Sequence, residues 1–156
     1  MGDRKPPRIA GDERATLRTL LQYQRDSFVR KVAGVSDTDA SSSPVPSGTS
    51  LLWLTNHMAD AENNWILSRF AQRPDNPLLA RHGRTVGDAV ERYREVWKEV
   101  DAVVANAPNL DEVCSSFDLD PSVNLRWILG HLLEETARHA GHADILREML
   151  DGSTGR

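Results

Sequence analysis

The stretch from Asn124 to Leu150, NLRWILGHLLEETARHAGHADILREML, reads as one long helix, and the rest of the chain must pack around it. Ile128, Leu132, Glu135, His139, His142, Leu146 and Met149 recur at alternating steps of four and three, the spacing that turns one stripe of a helix toward its neighbours. Leu125, Leu129, Leu133, Thr136, Ala140 and Ala143 form a second line beside it. Glu135, His139 and His142 are therefore expected in the buried part of the helix. Burying an unpartnered carboxylate costs several kcal/mol. A cation held between Glu135 and His139, one turn apart on one face, would remove that cost. The same spacing also occurs on solvated helix faces, so the pair by itself admits both readings.

A third donor would separate them, and His57 is the best placed. It lies in the other strongly apolar helical stretch, LLWLTNHMADAENNWILSRF, where Leu51, Leu54, Met58, Ala61 and Trp65 make a core face. His57 falls on the neighbouring stripe with Trp53, Asp60 and Asn64. Alone it reads as a hydrogen-bonded histidine at the edge of a core, whereas with Glu135 and His139 it reads as a ligand. Asn56, Asp60, Glu62 and Asn64 are near enough in sequence to contact ligands or substrate, or to serve as hydrogen-bond partners behind them.

Two more helices complete the pattern. Asp12 can cap a helix running to about Val32, with Leu17, Leu20, Leu21, Gln24, Phe28 and Val32 on its apolar face and Gly34 as its stop. Thr85, with Asp88 three residues on, has the form of a capping box, followed by Val86, Val90, Tyr93, Trp97, Val100 and Val104 at seam spacing. Asp120 and Pro121 are expected to cap and launch the long last helix. The predicted helices span 12–33, 50–70, 85–106 and 121–150, with Leu54, Trp65, Trp97, Val100, Leu129 and Leu132 buried. No segment alternates as a strand does. This is an all-α, four-helix bundle, in which metal sites are built from side chains on facing helices.

The loops, at about fourteen residues each, exceed what a minimal bundle needs and could shape a substrate mouth. His82 sits in the second of them, beside Arg81, Gly83 and Arg84, and reads as solvated. The chain's 156 residues suit a single domain, with a core over about 12–151 and short polar tails. A net charge of -4, with both signs mixed along every segment, argues against nucleic acid as a partner. No apolar run approaches the roughly 20 residues of a spanning helix, so no membrane insertion is expected. The start, MGDRKPPRIAG, lacks the apolar core of a signal peptide and has Pro6 where a myristoylation motif requires Ser or Thr, so a cytoplasmic protein is expected. Cys114, the one cysteine, falls in a predicted polar loop with no histidine nearby to activate it.

The segments PVPSGTSLLWLTNHMADAENNW and LRWILGHLLEETARHAGHADILREMLDGSTG, with the order of helices and loops from about Asp12 to Gly155, resemble the DinB-like bundles. The resemblance is to their branch of mycothiol-dependent transferases and maleylpyruvate isomerase-like proteins. It implies a divalent metal held by one His of the second helix and two residues four apart on the last, here His57, Glu135 and His139. Glu135 stands where most relatives have His, but matches the isomerase branch. His142 falls where many have Gln, and is implied as a site-lining residue and second choice of ligand, with Asp60 and Trp53 also lining the site.

What the resemblance implies chemically is a metal-dependent S-transferase. Zinc is the expected metal, nickel, manganese or iron also suiting the ligands, and mycothiol is activated as a metal-bound thiolate for attack on an electrophilic small molecule. The protein would act as monomer or homodimer. Two other readings stand beside it: a non-catalytic metal-binding bundle, closed by a fourth ligand such as His142, and a hydrolase that activates water.

Overall fold

A computed structural model of the chain describes residues 5–78, 81–115 and 121–154. Its helices are α1 (Glu13–Val32), a short α2 (Asp37–Ser41), α3 (Leu51–Glu62), α4 (Val86–Asn106) and α5 (Leu125–Asp151). The axis of α3 continues without a break through a π-helical segment, Asn63–Phe70. α1 packs on α5, and α3 packs on both α4 and α5. The result is the all-α bundle with long connections. A single core runs through it, from Leu21 and Phe28 on α1, through Leu54 and Met58 on α3 and Tyr93 and Val100 on α4, to Ile128, Leu129 and Leu132 on α5.

Local chemistry sets most of the boundaries. Asp12 accepts from the Ala15 N–H at 2.7 Å, Ser50 from Trp53 at 3.1 Å and Thr85 from Asp88 at 3.1 Å, each satisfying a donor that the first turn of its helix leaves free. Gly34, at φ +75°, takes the left-handed conformation that lets the chain turn away from α1. The start of α5 differs from expectation. Asp120 lies outside the described residues, and the cap is Asn124, whose side chain accepts from Trp127 at 2.9 Å, so Pro121 precedes the helix by four residues. The chain between them is extended instead, with Val113–Cys114 (β1) and Val123–Asn124 (β2) pairing antiparallel. Cys114 is accordingly not a polar-loop residue: it is 1% exposed, on the core side of this clasp. Two-residue strands are too short to leave an alternation in the sequence.

The core carries charges that no periodicity announced. Arg25 on α1 and Glu62 at the end of α3 are both buried and meet through two parallel bonds, Nε to Oε1 at 2.9 Å and Nη2 to Oε2 at 2.5 Å. Arg25 also reaches Asp101 at 3.0 Å and Gln22 at 3.1 Å, and the Tyr93 hydroxyl donates to Glu62 at 3.1 Å. Burial first, and then the adjacent carboxylate, push the Tyr93 phenol well above its ordinary value, so it remains a donor. Glu62 is thus a bolt between α1, α3 and α4 rather than a contact for substrate. A second buried arginine, Arg92 on α4, binds Asp60 at 2.5 Å and donates to the Leu78 carbonyl at 2.7 and 2.9 Å. Asn56 completes this corner by exchanging bonds with the Gly83 backbone, 2.9 and 3.0 Å. Gly83 is required there, since a Cβ would lie 2.3 Å from the Ala89 nitrogen.

Candidate metal centre between α3 and α5

The π-helical segment explains which residues of the second helical stretch face α5. In an α-helix a step of four overshoots a full turn by about 40°. A π turn holds more residues, so steps of four stay on one face. The buried side of α3 therefore passes from Leu54 and Met58 to Ala59, Glu62, Asn63, Ile66 and Leu67. His57, Ala61, Trp65 and Arg69 remain in register on the α5 side. Trp65 corrects the expected core face for this reason: it is half-buried, packed against Trp127 and His131 of α5 rather than sealed in the core. The other five expected core residues are buried.

α5 presents the complementary stripe, though rotated from expectation. The line Leu125, Leu129, Thr136, Ala140 and Ala143 is buried, together with Ile128, Leu132 and Leu146. Glu135 and His139 consequently lie at the rim, their side chains 24% and 13% exposed, and His142 and Met149 are exposed. The buried face draws on apolar members of both lines and leaves Glu135 and His139 at its edge, on the side toward α3.

There the three expected donors converge. His57 Nε2 lies 3.1 Å and His139 Nε2 3.0 Å from the same oxygen, Glu135 Oε1. One donor atom from each of the three residues lies within 4.8 Å of the other two. In a tetrahedral site with N and O ligands at 2.0–2.2 Å, neighbouring donors are separated by about 3.4 Å, so the arrangement fits a divalent cation such as zinc. Two imidazoles aimed at one carboxylate oxygen are what a shared ion would organise. Burial raises the Glu135 carboxyl, but the His57 hydrogen bond and the His139 charge outweigh it, and its pKa lies below the ordinary value. Burial, reinforced by His57 and His142 and opposed by Glu135, lowers His139, which favours the neutral ring a metal needs.

The surroundings hold the ligands in place. Trp53 stacks on His57 with ring centres 4.9 Å apart and planes 6° from parallel. His142 sits with Nδ1 3.2 Å from His139 Nδ1, positioned to accept the proton that His139 carries on Nδ1 when its Nε2 is a ligand. Among the described residues His142 is outside the three-donor cluster. Replacing His142 by alanine is expected to weaken metal affinity about 10–100-fold without removing a ligand, as read by competition with a fluorescent chelator. Asp60 does not join the site: Arg92 takes one oxygen and His82, at 3.0 Å, the other. Asn64 is exposed, and Asn56 is committed to Gly83. Sequence reasoning overlooked His131 and Trp127, which continue the Glu135 and His139 stripe at steps of four. Those steps were the signal that could have found them.

A family model described as mycothiol-S-transferase matches residues 16–152. The chain belongs to the mycothiol-S-transferase family. This agrees with the DinB-like bundle and places the chain among proteins named for transfer of a small-molecule thiol. No curated protein matches the chain. A crystal structure described as a conserved protein from Enterococcus faecalis superposes with a TM-score of 0.67 over 92% of this chain and 100% of its own, at 18% identity. That likeness concerns the fold. In this mycothiol-S-transferase family member the groove between α3 and α5 brings the candidate ligands to the protein surface, and no helix among the described residues is long and apolar enough to cross a membrane.

Proposed function

We propose that the chain, as one helical domain, is a metal-dependent S-transferase that joins mycothiol to an electrophilic small molecule. The convergence of His57, Glu135 and His139 from two helices carries the reading, and the family supplies the thiol. A divalent cation, zinc by preference for soft sulfur, would supply a Lewis acid that favours the thiolate form of an incoming thiol at neutral pH.

The chain's own groups do the rest. Glu135 offsets cationic charge in the groove. Trp53 and His142 fix the two imidazole planes, and the rim position of the cluster admits a small molecule from solvent. The chain offers no nucleophile of its own here, because Cys114 is buried in the β1–β2 clasp. The sulfur must come with the substrate: its attack on an electrophilic carbon forms the S–C bond as a leaving group departs with its electron pair, or as a π bond of that carbon opens, and the thiol proton passes to solvent.

A closed structural site would need a fourth protein donor, and the described cluster has three. Its half-exposed position favours the open, reactive arrangement. The deciding experiment is incubation of zinc-loaded protein with mycothiol and a thiol-reactive fluorophore, followed by mass spectrometry. Conjugate formed faster than with metal-free protein is expected; equal rates would leave a metal-binding bundle or a hydrolase.

A further inference from the structure

The two facing stripes do not end at the candidate ligands. Below His57 on α3 come Ala61 and Trp65; below Glu135 on α5 come His131 and Trp127. Trp65 meets Trp127 at 5.4 Å and His131 at 5.0 Å between ring centres, and Trp127 stacks on His131 at 5.0 Å with planes 16° apart. The Arg69 guanidinium lies over Trp65 at 4.7 Å. Trp127 remains 47% exposed despite these neighbours. A large indole held by a stacked histidine and a tilted tryptophan keeps about half its surface open to solvent. Scattered apolar residues need no such explanation, but a supported cluster continuing the ligand stripe does.

We infer that the Trp127, His131 and Trp65 cluster is the subsite for the sugar portion of the thiol co-substrate, with the Trp127 indole as its platform. The inference rests on the transferase reading and deepens it. Mycothiol carries its thiol on a cysteinyl group joined by an amide to an amino sugar, so sulfur and sugar ring are about five bonds, roughly 6 Å, apart. His131 precedes Glu135 by about one helical turn, roughly 6 Å along the axis, and Trp127 precedes it by about two, roughly 12 Å. A sulfur at the His57, Glu135 and His139 cluster therefore places the amino sugar beside His131, and the inositol that the sugar carries reaches on toward the Trp127 indole. The apolar C–H face of a pyranose or cyclitol packs on an indole, while its hydroxyls meet the donor that an imidazole supplies. Trp53, the other exposed indole of the groove, lies beyond His57 at the opposite end, which leaves the electrophile a separate approach.

The test is binding, not turnover. Glucosaminyl-inositol, the part of mycothiol without the thiol, is titrated into the zinc-loaded protein while the tryptophan indole N–H signals are followed by NMR. The Trp127 signal should move most. Trp127→Ala should weaken binding about tenfold, and Trp127→Phe should restore it to within about threefold. A Trp127 signal that stays still at the highest soluble concentration overturns the subsite. So does unchanged affinity in Trp127→Ala, or a loss that follows Trp53→Ala instead. Because no conjugate is measured, the two readings fail separately: sugar binding at Trp127 without any transfer would sink the transferase alone, whereas transfer with sugar affinity indifferent to Trp127 would sink the subsite alone.

Discussion

Replacing Glu62 by glutamine is expected to cost about 3–5 kcal/mol of folding stability, more than any other change of a few atoms in the bundle. The side chain keeps its size, so the loss is not one of packing. Arg25 is 1% exposed and donates two bonds to Glu62, and the variant leaves its charge in the core with the half-exposed Asp101 as the remaining anion. Tyr93 and Gln22 cannot neutralise it. Urea denaturation monitored by circular dichroism gives the value directly; a loss below about 1 kcal/mol would mean that Asp101 and water compensate, and that the network does not bolt the helices as described. Removing the charges together should behave differently. Arg25→Met with Glu62→Leu leaves no isolated ion, and most of the loss should be regained, because a buried pair contributes little over well-packed apolar groups.

His139→Ala should abolish tight metal binding and, with it, the proposed transfer. A positioning neighbour such as His142 is worth about 10–100-fold, so deletion of a donor should exceed about 100-fold and leave substoichiometric zinc after dialysis. Stoichiometric zinc in the variant would show that the His139 assignment is wrong. Since His142 lies 3.2 Å from His139, the double variant then asks whether it had taken over the role. The effect on the stability of the metal-free protein should be small, at most about 1 kcal/mol. With Glu135 24% exposed, water can solvate a carboxylate that has lost one partner. Full burial of this stripe would have made the same substitution cost several kcal/mol, so thermal unfolding of the metal-free variant also tests the rim placement.

The sequence by itself determined the four long helices, the caps Asp12 and Thr85 and the identity of the converging residues, but not the short α2. Caps are local: Asp12 and Thr85 need only the amide three residues ahead. The triad was legible because Glu135 and His139 are one turn apart whatever the fold, and because His57 is the one histidine in the second apolar stretch. What only the tertiary structure decided was orientation. A helix with apolar residues on more than one line can centre its buried face on either, and in the bundle that face takes apolar members of both lines and leaves Glu135, His139 and His142 at or beyond its edge. The π-helical turns after Glu62 broke the 3.6-residue period on which Trp65 had been assigned to the core. The pairing of Arg25, Glu62 and Arg92 left no mark in the sequence because their partners are 30 or more residues away or on another element, and a sequence pattern read within one helix cannot register a charge that is neutralised across three.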